Sequence, residues 1–287
     1  MQSTLRSNDR RGFSLVELLV ATTVMLAALA TTGAFLAASR RTIQDQILRL
    51  ETVQGLRSAM DSMVRDLRLG GACLPVTGDF ITLDAVNSTS DQIFTRTGLV
   101  LPSESCIRTA LSADITSTTT VLPVENASGF ATSMRVYIRA PNGTGEVFNL
   151  TAVTTTTNHT ADTVTKSGSF TQAYPKTSGV YALDERMYAV DNSNPSLPVL
   201  TLGVNGAAPQ PFAFGIENLT LQYQLARNCD TPAGCDVVDV PANDAEFALV
   251  NQIFITLSAR SRTVGSDGTY YRVSRTVTAK PRNLLPG

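Results

Sequence analysis

The chain has 287 residues, with 23 lysines and arginines against 24 aspartates and glutamates and a formal net charge of −1. This length is sufficient for one membrane helix and one sizeable soluble domain. A near-neutral charge without a downstream cluster of lysines and arginines excludes a dedicated nucleic-acid groove, so we expect no nucleic-acid partner.

The first predicted element is a membrane-length apolar segment near the N terminus. No residue from Leu18 to Ser39 is charged, and at about 1.5 Å per helical residue this segment spans the hydrocarbon core of a bilayer. Glu17 stands at its edge, where an unpaired carboxylate that enters hydrocarbon costs about 3 kcal/mol. The sequence therefore predicts that Glu17 has a partner at the same depth.

The residues before this segment resemble a class III type IV prepilin signal. A basic leader ends in Gly12 and is followed by Phe-Ser-Leu-Val-Glu-Leu-Leu at residues 13–19, then by the apolar segment. In that family a membrane-embedded aspartyl peptidase cuts after the glycine and methylates the new N-terminal phenylalanine. The resemblance implies a leader peptide of residues 1–12, cleavage between Gly12 and Phe13, N-methylation of Phe13, and an assembly contact through Glu17.

Three other interpretations of the apolar segment compete with a prepilin signal. It could be an ordinary signal anchor, a buried core helix, or a cleavable secretory signal with Ala28-Leu29-Ala30 as its A-x-A site. Glu17 interrupts what would be the hydrophobic region of a secretory signal, and the apolar stretch continues past that cut. A core helix does not need so long an uncharged run. The prepilin interpretation is therefore favoured.

Beyond the span the pattern predicts an amphipathic continuation of the same helix. Apolar residues recur at steps of three and four, typical of one buried helical stripe: Ile43, Ile47, Leu50, Val53, Leu56, Met60, Met63 and Leu67. Charged residues are expected to fill the other faces: Arg49, Glu51, Arg57, Asp61, Arg65 and Asp66. We predict a continuous helix from about Ser14 to a stop at Gly70-Gly71, with a transmembrane and assembly half at residues 13–39 and an amphipathic half at 40–70.

Residues 71–287 are predicted to form a β-rich domain outside the cytoplasm. Short apolar or alternating runs separated by Gly, Pro, Asn and Ser predict strands near residues 80–86, 91–96, 134–140, 145–153, 180–190, 198–203, 216–226, 250–262 and 270–280. Such a sheet needs a cover, and the amphipathic half of the helix can supply it. The fold class is therefore α+β: a long N-terminal helix packed on an antiparallel β-rich domain, the lollipop shape of a pilin.

Four cysteines, Cys73, Cys106, Cys229 and Cys235, allow three full pairings. Cys229 and Cys235 enclose a short turn-rich segment that a disulfide would hold, which leaves Cys73 and Cys106 as the plausible second pair. Buried free thiols are the alternative. We expect no zinc site, because the spacing is not C-x2-C and the single histidine, His159, lies in a threonine-rich stretch.

No catalytic constellation is visible in the sequence. There is one histidine, no Gly-x-Ser-x-Gly elbow and no phosphate-binding loop. We therefore expect a protein that is not an enzyme and carries no cofactor or metal. Oxygen ligands at residues 191–195 could hold calcium, but as a turn this segment needs no metal. The Thr-rich run at 151–169 is interpreted as solvent-facing strand and loop rather than as an adhesive insertion.

The back half resembles a subgroup of pilins. Gly215-Ile216-Glu217-Asn218-Leu219-Thr220-Leu221-Gln222-Tyr223 is similar to minor pilins of the PilW type. Residues 250–262 and 271–277, with Arg282-Asn283-Leu284, are similar to the closing strands and tail of that group and of J-type pseudopilins. The resemblance implies a minor pilin that primes or caps a type IV pilus, with possible roles in adhesion or motility.

Partners and location follow from the same resemblance. It implies processing by a prepilin peptidase, assembly with other major and minor pilins, and contact with the inner-membrane assembly platform. The protein would lie in the bacterial inner membrane with a periplasmic C-terminal domain, and later in the pilus at the cell surface. Two alternatives remain open: a type II secretion pseudopilin of the J type, and a membrane-anchored binding or adhesion domain that never polymerises.

Overall fold

A computed structural model describes residues 14–75, 82–83, 89–103, 105–230 and 234–281. It contains a long helix, α1 (Leu15–Leu69), and a short one, α2 (Asp244–Ala248). The strands are, in chain order, β1 (Gln92–Gly98), β2 (Arg108–Ala110), β3 (Val121–Pro123), β4 (Arg135–Arg139), β5 (Gly145–Thr154), β6 (Thr163–Lys166), β7 (Gly179–Asp191), β8 (Val199–Val204), β9 (Gln210–Phe214), β10 (Ile216–Leu225), β11 (Val237–Val238), β12 (Val250–Arg260) and β13 (Arg272–Ala279).

Helix α1 is continuous over 55 residues, which confirms the predicted helix and its end. No proline interrupts it, and at the helical rise it is about 80 Å long. It stops at Gly70, whose backbone N–H donates to the Leu67 carbonyl at 3.2 Å. Gly71 follows with φ of 78°, a left-handed conformation that glycine adopts without a steric penalty.

Only the later part of the apolar stripe on α1 is buried. The members in its last turns have no more than 1% exposure: Leu56, Met60, Met63 and Leu67. The members nearer the span are about half exposed: Ile43, Ile47 and Leu50. The prediction of one stripe buried along its whole length is therefore wrong for these three. The sheets pack on the C-terminal part of α1, through β12, β13, β9 and β1, so the earlier turns lie beyond their cover.

The β-rich domain consists of two antiparallel sheets. One has four strands in the order β11-β10-β12-β13, and the other has nine. The long strand β7 organises the larger sheet: it pairs along one edge with β1 and β2, and along the other with β4 and β8. Strands β5, β6 and β3 extend the sheet beyond β4, and β9 extends it beyond β8. This arrangement confirms the predicted α+β class with an antiparallel β domain.

Two large hydrophobic cores lie in this domain, and a small third cluster contains Leu74, Tyr137 and Leu183. The first is enclosed by α1, the four-stranded sheet and part of the nine-stranded sheet, and it contains Met63, Tyr223 and Ile255. The second lies among β2 to β6 and the adjoining turns, away from the helix. Strand β7 reaches both, because Tyr188 belongs to the first core and Val180 to the second.

Most predicted strands are present, with ends that shift by one or two residues. The predicted strand at 80–86 lies largely outside the described residues, and of its described part Leu83 forms an isolated bridge with Thr95. Six elements were not predicted: β2, β3, β6, β9, β11 and α2. They are two to five residues long, too short to establish a clear period.

The structure holds both disulfides that the sequence favours, Cys73–Cys106 and Cys229–Cys235. The first ties the residues just after α1 to the segment before β2. Gly98 makes room for it, because a Cβ at that position would lie 2.6 Å from the Cβ of Cys73. The second closes the loop between β10 and β11.

Removing the two disulfides should have unequal effects on stability. Their cysteines are separated by 33 and 6 residues, and loop-closure entropy gives contributions of about 4 and about 2 kcal/mol. We expect a Cys73→Ser, Cys106→Ser variant to unfold at clearly lower urea concentration than a Cys229→Ser, Cys235→Ser variant. Equal midpoints for the two variants would contradict this ranking.

Candidate functional site

The first half of α1 has no cover within the described residues. Every residue from Leu15 to Ala38 is exposed, and the most apolar 18-residue window has a mean hydropathy of 1.9. The helix is therefore long and apolar enough to cross a membrane. A helix that is apolar on all sides needs lipid or neighbouring helices around it.

The threonine hydroxyls within this half donate to the backbone of the helix itself. The hydroxyl of Thr22 donates to the Leu19 carbonyl at 3.0 Å, and Thr23 donates to Val20 at 2.8 Å. Thr31 and Thr32 both donate to the carbonyl of Ala28. Because each hydroxyl proton already has an acceptor, these threonines can enter hydrocarbon without an unpaired donor.

Glu17 lies in the first turn of α1, on a side of the helix open to solvent. Ser14 is the N-cap, so the two residues have the spacing of a capping box. The side chain of Ser14 forms no capping hydrogen bond, and among the described residues the Glu17 carboxylate has no ion-pair or hydrogen-bond partner. Its charge is thus available to a group from outside this part of the chain. Gly12 and Phe13, the predicted cleavage and methylation positions, lie outside the described residues.

Asp66 joins α1 to the nine-stranded sheet. Its side chain is 5% exposed, and Oδ2 accepts hydrogen bonds from the Tyr188 hydroxyl at 2.6 Å and from Arg186 Nη1 at 2.9 Å. Burial, and then the hydrogen bond to Asp66, raises the pKa of Tyr188 above its ordinary value, which keeps the phenol protonated as a donor. This contact fixes the helix against β7.

The expectation that Asp66 fills an outer face of the helix is therefore wrong. The apolar stripe contained a signal for its burial, since Asp66 lies three residues after Met63 and directly before Leu67, both buried. A single sequence cannot show that Arg186 and Tyr188 donate to Asp66, because they lie 120 and 122 residues away from it.

A second contact joins α1 to the loop between β12 and β13. The Asp45 carboxylate accepts from the Ser266 backbone N–H at 2.9 Å and from the Ser266 hydroxyl. The hydroxyl bond, followed by the backbone bond, lowers the pKa of Asp45. Arg49, one turn further along, places its guanidinium 5.3 Å from the centre of the Tyr271 ring. These contacts lie on the side of the domain nearer to the apolar half of α1.

His159 and Asp191, which were weighed as metal ligands, form hydrogen bonds within their own loops. Asp162 accepts hydrogen bonds from the Ala127 backbone at 2.8 Å and from His159 Nδ1 at 2.8 Å, and the backbone bonds in particular lower its pKa. Asp191 accepts from the Ser193 backbone N–H at 2.8 Å. Across the described residues, no three His, Cys, Asp or Glu side chains lie close enough together to hold a metal ion.

Comparison with known proteins identifies the N-terminal segment. Residues 7–33 match the family model of the prokaryotic N-terminal methylation motif. No curated protein matches the chain. The motif covers Gly12, Phe13 and Glu17 and extends into the uncovered half of α1. With this motif at the start of a long helix that packs on an antiparallel β domain, the chain is type IV pilin-like in both sequence and architecture.

Proposed function

We propose that this chain is a minor pilin of a type IV pilus, which primes or caps the filament. The main support for the proposal is that the methylation motif at residues 7–33 continues into a helix whose residues from Leu15 to Ala38 are not covered by any other described residue. Cleavage after Gly12 by a prepilin peptidase, and methylation of Phe13, would produce the mature subunit. The uncovered helix then serves first as a membrane anchor and later as the packing surface between subunits.

Glu17 is the assembly contact in this proposal. Removal of the leader creates an α-amino group on Phe13, a cation at the depth of the carboxylate. Pairing with that amine on a neighbouring subunit would supply the partner that the described residues do not. Desolvation offsets much of the attraction in a buried ion pair, so its main effect is to set the register between subunits.

Small residues support close packing of the uncovered helix. Ala27, Ala28, Gly33 and Ala34 lie within it, and a Cβ placed on Gly33 would meet nothing within 4 Å. Backbones can approach closely at such positions, which favours association between helices in or near a membrane.

The β-rich domain favours a minor pilin over a major one. Its second core, among β2 to β6, adds a lobe whose strands are not among those that pack on α1 in the part of the chain that the structure describes. The strands that resemble PilW-type minor pilins, β10, β12 and β13, form the sheet beneath the helix. We propose that the domain acts through its surface and not as an enzyme, in the periplasm before assembly and at the cell surface afterwards. The other pilins and the inner-membrane platform are its proposed partners.

A deletion strain tests this function and separates it from the two alternatives. For a minor pilin we expect few or no surface pili, restored by the plasmid-borne gene, and the protein in the sheared-filament fraction. Normal piliation with exoproteins trapped in the periplasm would overturn the proposal in favour of a secretion pseudopilin. Normal piliation and normal secretion would leave a non-polymerising anchored domain.

A further inference from the structure

The loop at residues 261–271, between β12 and β13, is held at both ends. Near its start the Ser261 hydroxyl donates to the Thr263 carbonyl at 2.7 Å, and Ser261 is buried. In its middle, Ser266 is bound to Asp45 of α1. At its end Tyr271 lies under the guanidinium of Arg49. The level of this loop along the helix axis is therefore set by direct contacts.

That level is close to the end of the apolar span. Val264 lines a groove with Arg41 and Asp45 of α1, a cavity of about 730 Å³. Arg41 and Asp45 lie about 3 and 9 Å beyond Ser39 at the helical rise. The headgroup layer of one leaflet is about 5–7 Å thick, from the difference between the whole bilayer and its hydrocarbon core. With Ser39 at the hydrocarbon boundary, Arg41 lies within the headgroup layer and the contact of the loop with Asp45 lies just beyond it, so the loop faces the outer edge of the headgroups.

The side chains that the loop presents suit this position. Val264 is 47% exposed although it is apolar. Arg41 lines the same groove as Val264. The exposed Arg262 lies two residues before Val264 in the chain, and its guanidinium is 4.9 Å from the centre of the Phe214 ring. Guanidinium groups bind phosphate through paired hydrogen bonds, and an exposed apolar side chain beside them can be buried at the boundary between headgroups and acyl chains.

Acidic groups also surround the loop, and their hydrogen bonds keep them ionised. The Asp45 carboxylate accepts two hydrogen bonds from Ser266, and that of Asp267 accepts two from Thr269, which lowers the pKa of both groups. Glu51 also lines the groove, but at the helical rise it lies about 18 Å beyond Ser39. The charges nearest the span are therefore arginines.

We propose that the loop at 261–271 is a membrane-contact surface, with Val264 at the edge of the headgroup layer and with Arg41 and Arg262 bound to phospholipid phosphates. The domain then has two attachments to the bilayer, the span and the loop, and its tilt before assembly is restricted. This inference rests on membrane insertion of the span, which is part of the proposed function, but not on filament formation.

The absence of tryptophan from the chain provides a direct test. The full-length protein carrying Val264→Trp is reconstituted in phospholipid vesicles whose acyl chains are brominated close to the headgroup, and tryptophan quenching is measured. Val237→Trp is the matched control: Val237 is 48% exposed and pairs with the far end of β10, about 25 Å along the sheet from the loop. Phe35→Trp reports insertion of the span itself.

We expect strong quenching for Val264→Trp, at least about twice that of Val237→Trp given their different depths, and a lower value when Arg41→Gln and Arg262→Gln are added. If Phe35→Trp is quenched but Val264→Trp and Val237→Trp are quenched equally, the span is inserted and the loop contact is overturned. Quenching unaffected by the arginine changes would overturn the phosphate contacts. An unquenched Phe35→Trp would overturn the insertion on which both proposals depend.

Discussion

A Glu17→Ala subunit should be processed normally but fail to enter filaments. Removing one partner of a buried ion pair costs about 3 kcal/mol or more, equivalent to at least about a hundredfold loss in association. Gly12 and Phe13 are untouched, so cleavage should proceed. The measurement is the ratio of this protein in sheared filaments to that in membranes, by immunoblot, relative to the unaltered subunit.

Glu17→Gln separates the two roles that the structure allows for this side chain. Ser14 and Glu17 have capping-box spacing, and a glutamine at that position can still cap a helix. If the ion pair is the essential contact, Glu17→Gln fails like Glu17→Ala. If capping is the essential role, Glu17→Gln assembles normally. Glu51→Gln, an exposed carboxylate on the same helix beyond the span, is the matched control and should assemble like the unaltered subunit.

An Asp66→Ala substitution should destabilise the packing of the domain on α1 by about 3 kcal/mol. It removes the acceptor of a buried tyrosine hydroxyl and one partner of Arg186, which retains Asp184 at 3.0 Å. The free energy of unfolding, measured by urea titration of the full-length protein in detergent with near-ultraviolet circular dichroism, should fall by this amount. Asp61→Ala, at an exposed site one turn earlier, should change it by less than about 0.5 kcal/mol.

A double-mutant cycle with Tyr188→Phe identifies the hydrogen bond itself. Tyr188→Phe removes the hydroxyl but keeps the ring in its core, so the combined variant should be about 1 kcal/mol more stable than the sum of the single changes predicts. Additive effects would contradict the contact between Asp66 and Tyr188. An Asp66→Ala variant as stable as Asp61→Ala would contradict a stabilising role for the contacts of Asp66 with Arg186 and Tyr188.

The parts of this fold that could be predicted are those with long, regular patterns. Helix α1 follows from an apolar segment, a stripe with helical spacing and a pair of glycines at its end. The strands beneath it, such as β10 with Leu219, Leu221 and Tyr223 inward, follow from alternation. The second lobe could be predicted only in part: β4 and β5 follow from their patterns, whereas β2, β3 and β6 are only three or four residues long.

The residues of the candidate site also differ in how far the sequence identifies them. Glu17 could be singled out because its motif, its leader and its span are contiguous in sequence, and its role in assembly stays a prediction. Asp66 was assigned to the wrong face because its burial depends on Arg186 and Tyr188, whose positions are set by the pairing of β7. Ile43, Ile47 and Leu50 were assigned to the domain core because the stripe does not reveal where the sheet ends. Their partial exposure leaves an apolar strip between span and domain.

The mass of the mature N-terminal peptide, taken from protein recovered in sheared filaments, tests whether the subunit is cleaved and methylated as proposed. Processing after Gly12 should leave a peptide that begins with N-methylated Phe13, whose new amine is the proposed partner of Glu17. Recovery of an intact Met1, or of a chain beginning at Thr31 after cleavage at Ala28-Leu29-Ala30, would contradict it.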